Sequence, residues 1–346
     1  MITVLSLSPA VDKIYYVDGF KPGNLYRVRE TGNKSVNFNN VKQVLNSDTE
    51  KQLSDSSGYS FGGIVTKSAG GKGVNVARIA SIIGERVCCI GFMAGNTGRW
   101  IKSQLEKHGV STNFIEVSGE TRTNINIVDR ASNLETEILE EGPFIDAAAL
   151  DKFVLEFESV LDKTKVLVCS GSLPVGMPDD FYGTLIKKAK ERNVRVILDT
   201  SGKMLIEGMK SLPNIVKPNL RELQKYVGRS LLGINDVVKA CREIISSGVK
   251  AVVPSMGREG ALLVTEDMVL QAVLPPVNAV NSIGSGDALV AGLAAGVVRN
   301  YSPDDMLRLG IACALANVEH EQIGCVDKER AEKYFKQVKI SVLQDL

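Results

Sequence analysis

The chain has 346 residues, 44% of them hydrophobic and 23% charged, with a formal net charge of +1. That length suits one large α/β domain or two ordinary ones with a real core. The balanced charge gives no footprint for nucleic acid, no apolar run reaches the roughly 18 residues of a membrane span, and two histidines argue against a zinc site or a Ser-His-Asp triad.

Residues 2–7 are strand-like and, without a charged leader-type start, read as a first buried strand rather than a signal peptide. Residues 11–31 alternate without a helical period, and 32–67 form a polar insertion rich in Asn, Ser, Asp and Lys. A glycine cluster then opens a helix that continues over 75–83; 87–92 is a strand and 97–107 a helix. Residues 113–139 alternate again, and with 11–31 they predict a small second sheet, either a lid over the active site or a plain β-meander packed on the core. Strand–helix units follow: 165–169 with 179–191, 194–198, 214–216 with 219–226, then strands at 250–253 and 261–264. Helices at 287–298 and 303–319 complete the series. Such repetition predicts an α/β fold with a mostly parallel sheet covered on both faces. The six cysteines contain no Cys-x-x-Cys pair, and several sit in apolar runs. They read as free thiols in a reducing, cytoplasmic compartment.

Two glycine clusters carry chemistry. Ala69-Gly70-Gly71-Lys72-Gly73-Val74-Asn75 runs into a helix. Its backbone can approach a ligand closely, the helix start offers N–H groups, and Lys72 adds a full charge, which suits a sugar or its phosphate. Gly284-Ser285-Gly286-Asp287 opens a second helix. Alone, Asp287 reads equally as a carboxylate favoured by the helix dipole. The chemical reading is that the Gly284, Ser285 and Gly286 amides cradle a transferring phosphoryl group while Asp287 takes the proton of an attacking hydroxyl. A Walker loop fails because Thr66 stands at the required glycine and Gly73 follows Lys72; a dinucleotide fingerprint fails at Leu289.

Seven segments in order resemble the ribokinase-like (PfkB-type) sugar kinases over nearly the whole chain outside the insertion. They are Leu7-Ser8-Pro9-Ala10-Val11-Asp12, the Gly70 to Asn75 loop, Thr121-Arg122-Thr123-Asn124, Ser170-Gly171-Ser172-Leu173-Pro174, Lys217-Pro218-Asn219-x-x-Glu222, Ser255-Met256-Gly257 and Gly284-Ser285-Gly286-Asp287. The Gly-Gly-Lys-Gly loop and Thr-Arg-Thr-Asn are most similar to the hexose-phosphate branch, the 1-phosphofructokinases and tagatose-6-phosphate kinases. The sequence departs from the family pattern at Ser285, where alanine is common, and at Ala288, where serine is common.

The resemblance implies one Rossmann-like three-layer domain with a β-sheet lid often used for dimer contacts, and a cytoplasmic enzyme using ATP and Mg2+. Asp12 would orient sugar hydroxyls; Lys72 and Arg122 would hold the phosphate already on the substrate, with Gly71, Asn75 and Ser172 beside them. Asn219 and Glu222, three apart on one helix face, would place magnesium through water. Lys217, Ser255, Gly257 and Asn317 would lie on the nucleotide side. Fructose 1-phosphate is the first choice of substrate, tagatose 6-phosphate the second, and fructose 6-phosphate a third. The alternative class is a non-catalytic sugar-phosphate-binding relative.

Overall fold

The computed structural model describes residues 1–30, 63–132, 134–280 and 282–343; most of the expected polar insertion, and Asn281 beside the last glycine cluster, lie outside the described residues. The strands are β1 (Ile2–Ser6), β2 (Ala10–Val17), β3 (Val28–Glu30), β4 (Gly63–Gly70), β5 (Val87–Ala94), β6 (Ser111–Val117), β7 (Thr123–Asp129), β8 (Leu134–Leu139), β9 (Val166–Ser170), β10 (Arg195–Asp199), β11 (Ile215–Val216), β12 (Ala251–Val252), β13 (Ala261–Val264), β14 (Val269–Val273) and β15 (Lys339–Val342). The helices are α1 (Lys72–Ile82), α2 (Gly95–Lys107), α3 (Ala147–Leu161), α4 (Phe181–Glu191), α5 (Gly202–Met209), α6 (Leu220–Val227), α7 (Ile234–Ser246), α8 (Ser285–Val298), α9 (Pro303–Val318) and α10 (Lys328–Gln337).

Ten strands form the large sheet in the order β15-β14-β13-β12-β11-β10-β9-β1-β5-β6. The run from β6 to β12 is parallel, and β13, β14 and β15 add antiparallel at one end. Alternate residues feed two cores: in β9, Val166 and Val168 face α1, α8 and α9, whereas Leu167 and Cys169 face α3, α4 and α7. The central strands are buried on both faces, which explains their nearly continuous apolar sequences. All six cysteines are free and buried. Among the described residues no helix is long and apolar enough to cross a membrane.

A second sheet of five strands, β3-β4-β2-β7-β8, stands beside the first. Two boundaries differ from expectation. β6, which overlaps the start of the segment expected to form the lid, pairs in parallel with β5 and closes the edge of the large sheet. β4 starts at Gly63, inside the stretch expected to be insertion, and pairs antiparallel with β2 along its whole length. A half-exposed edge strand alternates as a lid strand does, so periodicity alone does not separate the two.

Candidate active site

The two sheets meet at a cleft of about 1440 Å³, lined by Asp12, Gly71, Lys72, Asn75 and Arg122 on one side and by Lys217, Asn219, Ser255, Gly257 and the stretch Gly284, Ser285, Gly286 and Asp287 on the other. Lys72, Arg122 and Ser172 also line a side cavity of about 280 Å³ with Asn124, Ser170 and Thr200. Six distant segments therefore converge at the end of the parallel strands, the usual place for ligands in an open α/β sheet.

Register brings the lid side together. Asp12 of β2 lies opposite Asn124 of β7, and the Asn124 amide donates to Asp12 Oδ1 at 2.8 Å. Gly70 makes room for this carboxylate: a Cβ there would lie 1.8 Å from Asp12 Oδ2. Burial pushes the Asp12 carboxyl up, opposed by the Asn124 hydrogen bond and the Arg122 charge. Arg122 Nη2 donates to the Ser8 carbonyl at 3.2 Å.

The opposite wall is the turn at Gly284, the N-cap of α8, with φ of 82°. That φ and the close backbone of Gly324, 2.9 Å from where a Cβ would sit, require glycine. Helix α8 begins at Ser285, two residues earlier than expected, so Asp287 occupies its first turn. The first N–H groups of a helix have no intrahelical acceptor; that of Ser285 donates to the Ser282 carbonyl at a long 3.3 Å. Asp287 is 6% exposed and accepts from Asn75 Nδ2 at 2.9 Å across the cleft. Burial pushes its carboxyl up to about 6; Asp199 adds to the rise, while Lys72, Asn75 and Lys217 oppose it.

Asp199 is the residue that sequence reasoning missed. It ends β10, is fully buried, and places Oδ1 3.1 Å from both Lys72 Nζ and Lys217 Nζ. Burial favours its neutral form, but Lys217 and Lys72 together hold it below the usual carboxylate range. Burial also disfavours the Lys72 charge, and Asp199, with Asp287 and Glu222 behind it, outweighs that and holds the ammonium above its usual range. The missed signal was an acidic residue closing an apolar strand at the ligand-bearing edge of the sheet.

Three expected residues sit differently from their sequence reading. Asn219 is the N-cap of α6 rather than a residue on its face. It forms a capping box with Glu222: Glu222 N donates to Asn219 Oδ1 at 2.9 Å, and Asn219 N to Glu222 Oε2 at 2.8 Å. Asn219 lines the cleft and the field of Glu222 reaches Lys72. Both are oxygen donors with remaining lone pairs, a set that suits an outer-sphere Mg2+ better than a direct cage. No group of three or more His, Cys, Asp or Glu suited to a metal ion occurs among the described residues. Asn317 is 1% exposed and donates to the Cys325 carbonyl at 3.0 Å, whereas Ile311, Ala314, Leu315 and Val318 of the same helix line the cleft. With Leu274, Pro275 and Val277 these form an apolar wall near Ser255 and Gly257 that fits a flat heterocycle.

The chain is similar to known proteins over nearly its whole length. The family model for pfkB family carbohydrate kinases matches residues 49–328. A tagatose-6-phosphate kinase of Staphylococcus epidermidis is 31% identical over 343 residues, covering 98% of this chain and 99% of the relative. A 1-phosphofructokinase of Bacillus subtilis is also 31% identical over 343 residues, covering 99% of this chain and all of the relative. The crystal structure of phosphofructokinase-2 from Escherichia coli in complex with substrates and products superposes with a TM-score of 0.80 at 27% identity, covering 97% of this chain and 98% of that one. With a family match over most of its length and relatives aligned end to end, the chain belongs to the pfkB family of carbohydrate kinases.

Proposed function

We propose that this carbohydrate kinase transfers the terminal phosphoryl group of ATP to a primary hydroxyl of a ketohexose phosphate, fructose 1-phosphate before tagatose 6-phosphate. One observation carries the reading. Asp287 stands at the mouth of the Gly284 turn, in a cleft whose other wall holds Asp12, Lys72 and Arg122. A carboxyl near pH 6 is ionised at neutral pH yet basic enough to take a proton as the hydroxyl attacks.

The sugar would lie against β2 and β7, its hydroxyls on Asp12 and Asn124, with its phosphate in the side cavity between Arg122, Lys72 and Ser172. Arg122 offers a planar fork and Lys72 a point charge. The amides at the start of α8 face the place where charge develops during transfer. Lys217, held by Asp199 and close to Gly286, adds positive charge on the nucleotide side. Mg2+ screens phosphate charge when bound, and Asn219 and Glu222 would hold it through water. The five-stranded sheet would act as a lid that excludes water. On its edge strand Leu134, Ile138 and Leu139 are exposed, which supports a homodimer through the lid.

The test is an ADP-release assay with Mg-ATP on fructose 1-phosphate, tagatose 6-phosphate, fructose 6-phosphate and unphosphorylated sugars. Preference for fructose 1-phosphate is expected. Preference for an unphosphorylated sugar would refute the roles of Lys72 and Arg122, and inactivity on all of them would remove the kinase reading.

A further inference from the structure

Helix α1 carries a buried cation with no part in the reaction above. Arg78 is 1% exposed. Its Nε donates to the Gly324 carbonyl at 2.8 Å and its Nη1 to the Ala69 carbonyl at 2.8 Å. Its Nη2 donates to Asn75 Oδ1 at 2.8 Å and to the Ile323 carbonyl at 2.9 Å. All four acceptors are neutral, an expensive arrangement for a buried charge unless position matters.

A guanidinium has donors and no acceptor. Whatever atom of the Asn75 amide meets Arg78 must therefore be its oxygen, and the NH2 is left to face Asp287 Oδ2, 2.9 Å away. An amide NH2 aimed at a carboxylate favours the ionised form. The same guanidinium holds the turn at Ile323 and Gly324, which backs the anion-binding turn. A Cβ at Gly324 would lie 2.1 Å from Asn75 Oδ1 and 2.8 Å from Arg78 Nη2, so the three groups are in contact.

We propose that Arg78 is a positioning residue for phosphoryl transfer: it fixes the Asn75 amide with its NH2 toward Asp287 and braces the turn behind Gly284. This rests on the reading of Asp287 as the proton acceptor. The other charged groups facing Asp287 are Lys72 from α1, Asp199 from β10 and Lys217 beyond β11, and all remain when Arg78 is replaced. Without a donor-only partner the Asn75 amide can turn over. Its oxygen then faces the carboxylate, which must keep a proton to satisfy it, so the acid limb of turnover moves to higher pH.

The experiment measures ADP release against pH, with fructose 1-phosphate and Mg-ATP, for the wild type, Arg78→Gln, Arg78→Lys, Asn75→Ala, Asp287→Asn and the Arg78→Gln/Asn75→Ala pair. Circular dichroism reports folding of each. Arg78→Gln is expected to move the acid limb of kcat up by roughly one pH unit, with kcat on the alkaline plateau within about threefold of wild type. Arg78→Lys, still a donor-only group, keeps the wild-type limb. The double variant shows nearly the same limb as Asn75→Ala alone, because the effect of Arg78 passes chiefly through that amide and its direct field on Asp287 adds little. A uniform fall in kcat at every pH with an unshifted limb in Arg78→Gln, the result of a purely structural brace, overturns the proposal, and so does a limb shift that adds in full in the double variant, the result of the direct field alone. If Arg78→Gln does not fold, Asn75→Ala decides: an unshifted limb there overturns the proposal, and a shifted limb with a wild-type limb in Arg78→Lys upholds it. Full turnover in Asp287→Asn would sink the reading of the base itself. Loss of turnover in that variant beside unshifted Arg78 limbs would remove the positioning role alone.

Discussion

Replacing Asp287 by Asn should stabilise the ligand-free protein at neutral pH while abolishing most of its activity. In the folded chain this carboxyl is pushed up to about 6 from an ordinary 3.8, mainly by burial. About two units at 1.36 kcal/mol each is about 3 kcal/mol. Because the folded pKa is raised, the folded state binds the proton more tightly. The associated stability is fully present below about 3.8 and is lost as pH rises through about 6. Asp287→Asn keeps an oxygen for the Asn75 amide but has no charge to desolvate. Its stability should match the wild type near pH 4 and exceed it by up to about 3 kcal/mol near pH 8. With an unfolding entropy of about 2.1 cal/mol/K per residue over 346 residues, that is a rise in Tm of about 4 °C. Thermal melts at the two pH values, without substrate or nucleotide, read the difference, and turnover of the same protein should fall by roughly 10²–10⁴. A variant that melts at or below the wild type near pH 8 would refute the argument, because the charged Asp287 would then be net stabilising.

Asp199→Asn acts in the opposite direction. Lys72, with a side chain 37% exposed, can turn toward solvent and contributes little. Lys217, 3% exposed, cannot, so its uncompensated charge should cost about 3–5 kcal/mol in urea unfolding; an unchanged midpoint would show that the lysines do not need this carboxylate. Arg122→Lys keeps the charge and loses the fork. It should raise KM for the sugar phosphate by roughly 10–100-fold and leave kcat nearly unchanged, and an equal loss with an unphosphorylated sugar would place Arg122 elsewhere.

The parallel core was legible because strands buried on both faces spell themselves out as apolar runs, as in Val166-Leu167-Val168-Cys169. Helix α10 was not: of its ten residues only Ala331 and Tyr334 are buried, too few to set a period. Helix α3 was missed although its signals were present, with Asp146 capping the Ala149 amide and Ala149, Phe153 and Phe157 recurring every four residues. The glycine clusters were legible for a different reason. Positive φ and close backbone approach admit almost no other residue, so Gly71 and Gly284 mark geometry wherever they occur. The pair Asn219 and Glu222 illustrates the limit of spacing. The same i, i+3 interval serves a helix face and a capping box, and only coordinates show that the box is made. Arg78 left a signal of another kind, a charge inside a helix whose residues from Gly73 to Ala80 are all buried.

The electrostatics of the cleft divide labour between two carboxylates, Asp287 in the last glycine cluster and Asp199 outside every motif. Asp199 and Asp287 are both buried and both act on Lys72. Asp199 lies within 3.1 Å of two ammonium groups, which hold it ionised below the usual range. Among the described residues Asp287 makes no ion pair that close; its near partner is the neutral Asn75 amide, and Asp199 raises its proton affinity further. A carboxylate clamped between two lysines is a poor proton acceptor, because taking a proton would strand both charges. One held by an amide, at a pKa of about 6, can accept a proton without stranding a lysine, because Asp199 still pairs both ammonium groups. Environments that push paired groups apart in this way assign the fixed counter-ion to Asp199 and support the proposed base at Asp287, the member of the pair that also adjoins the Gly284 turn.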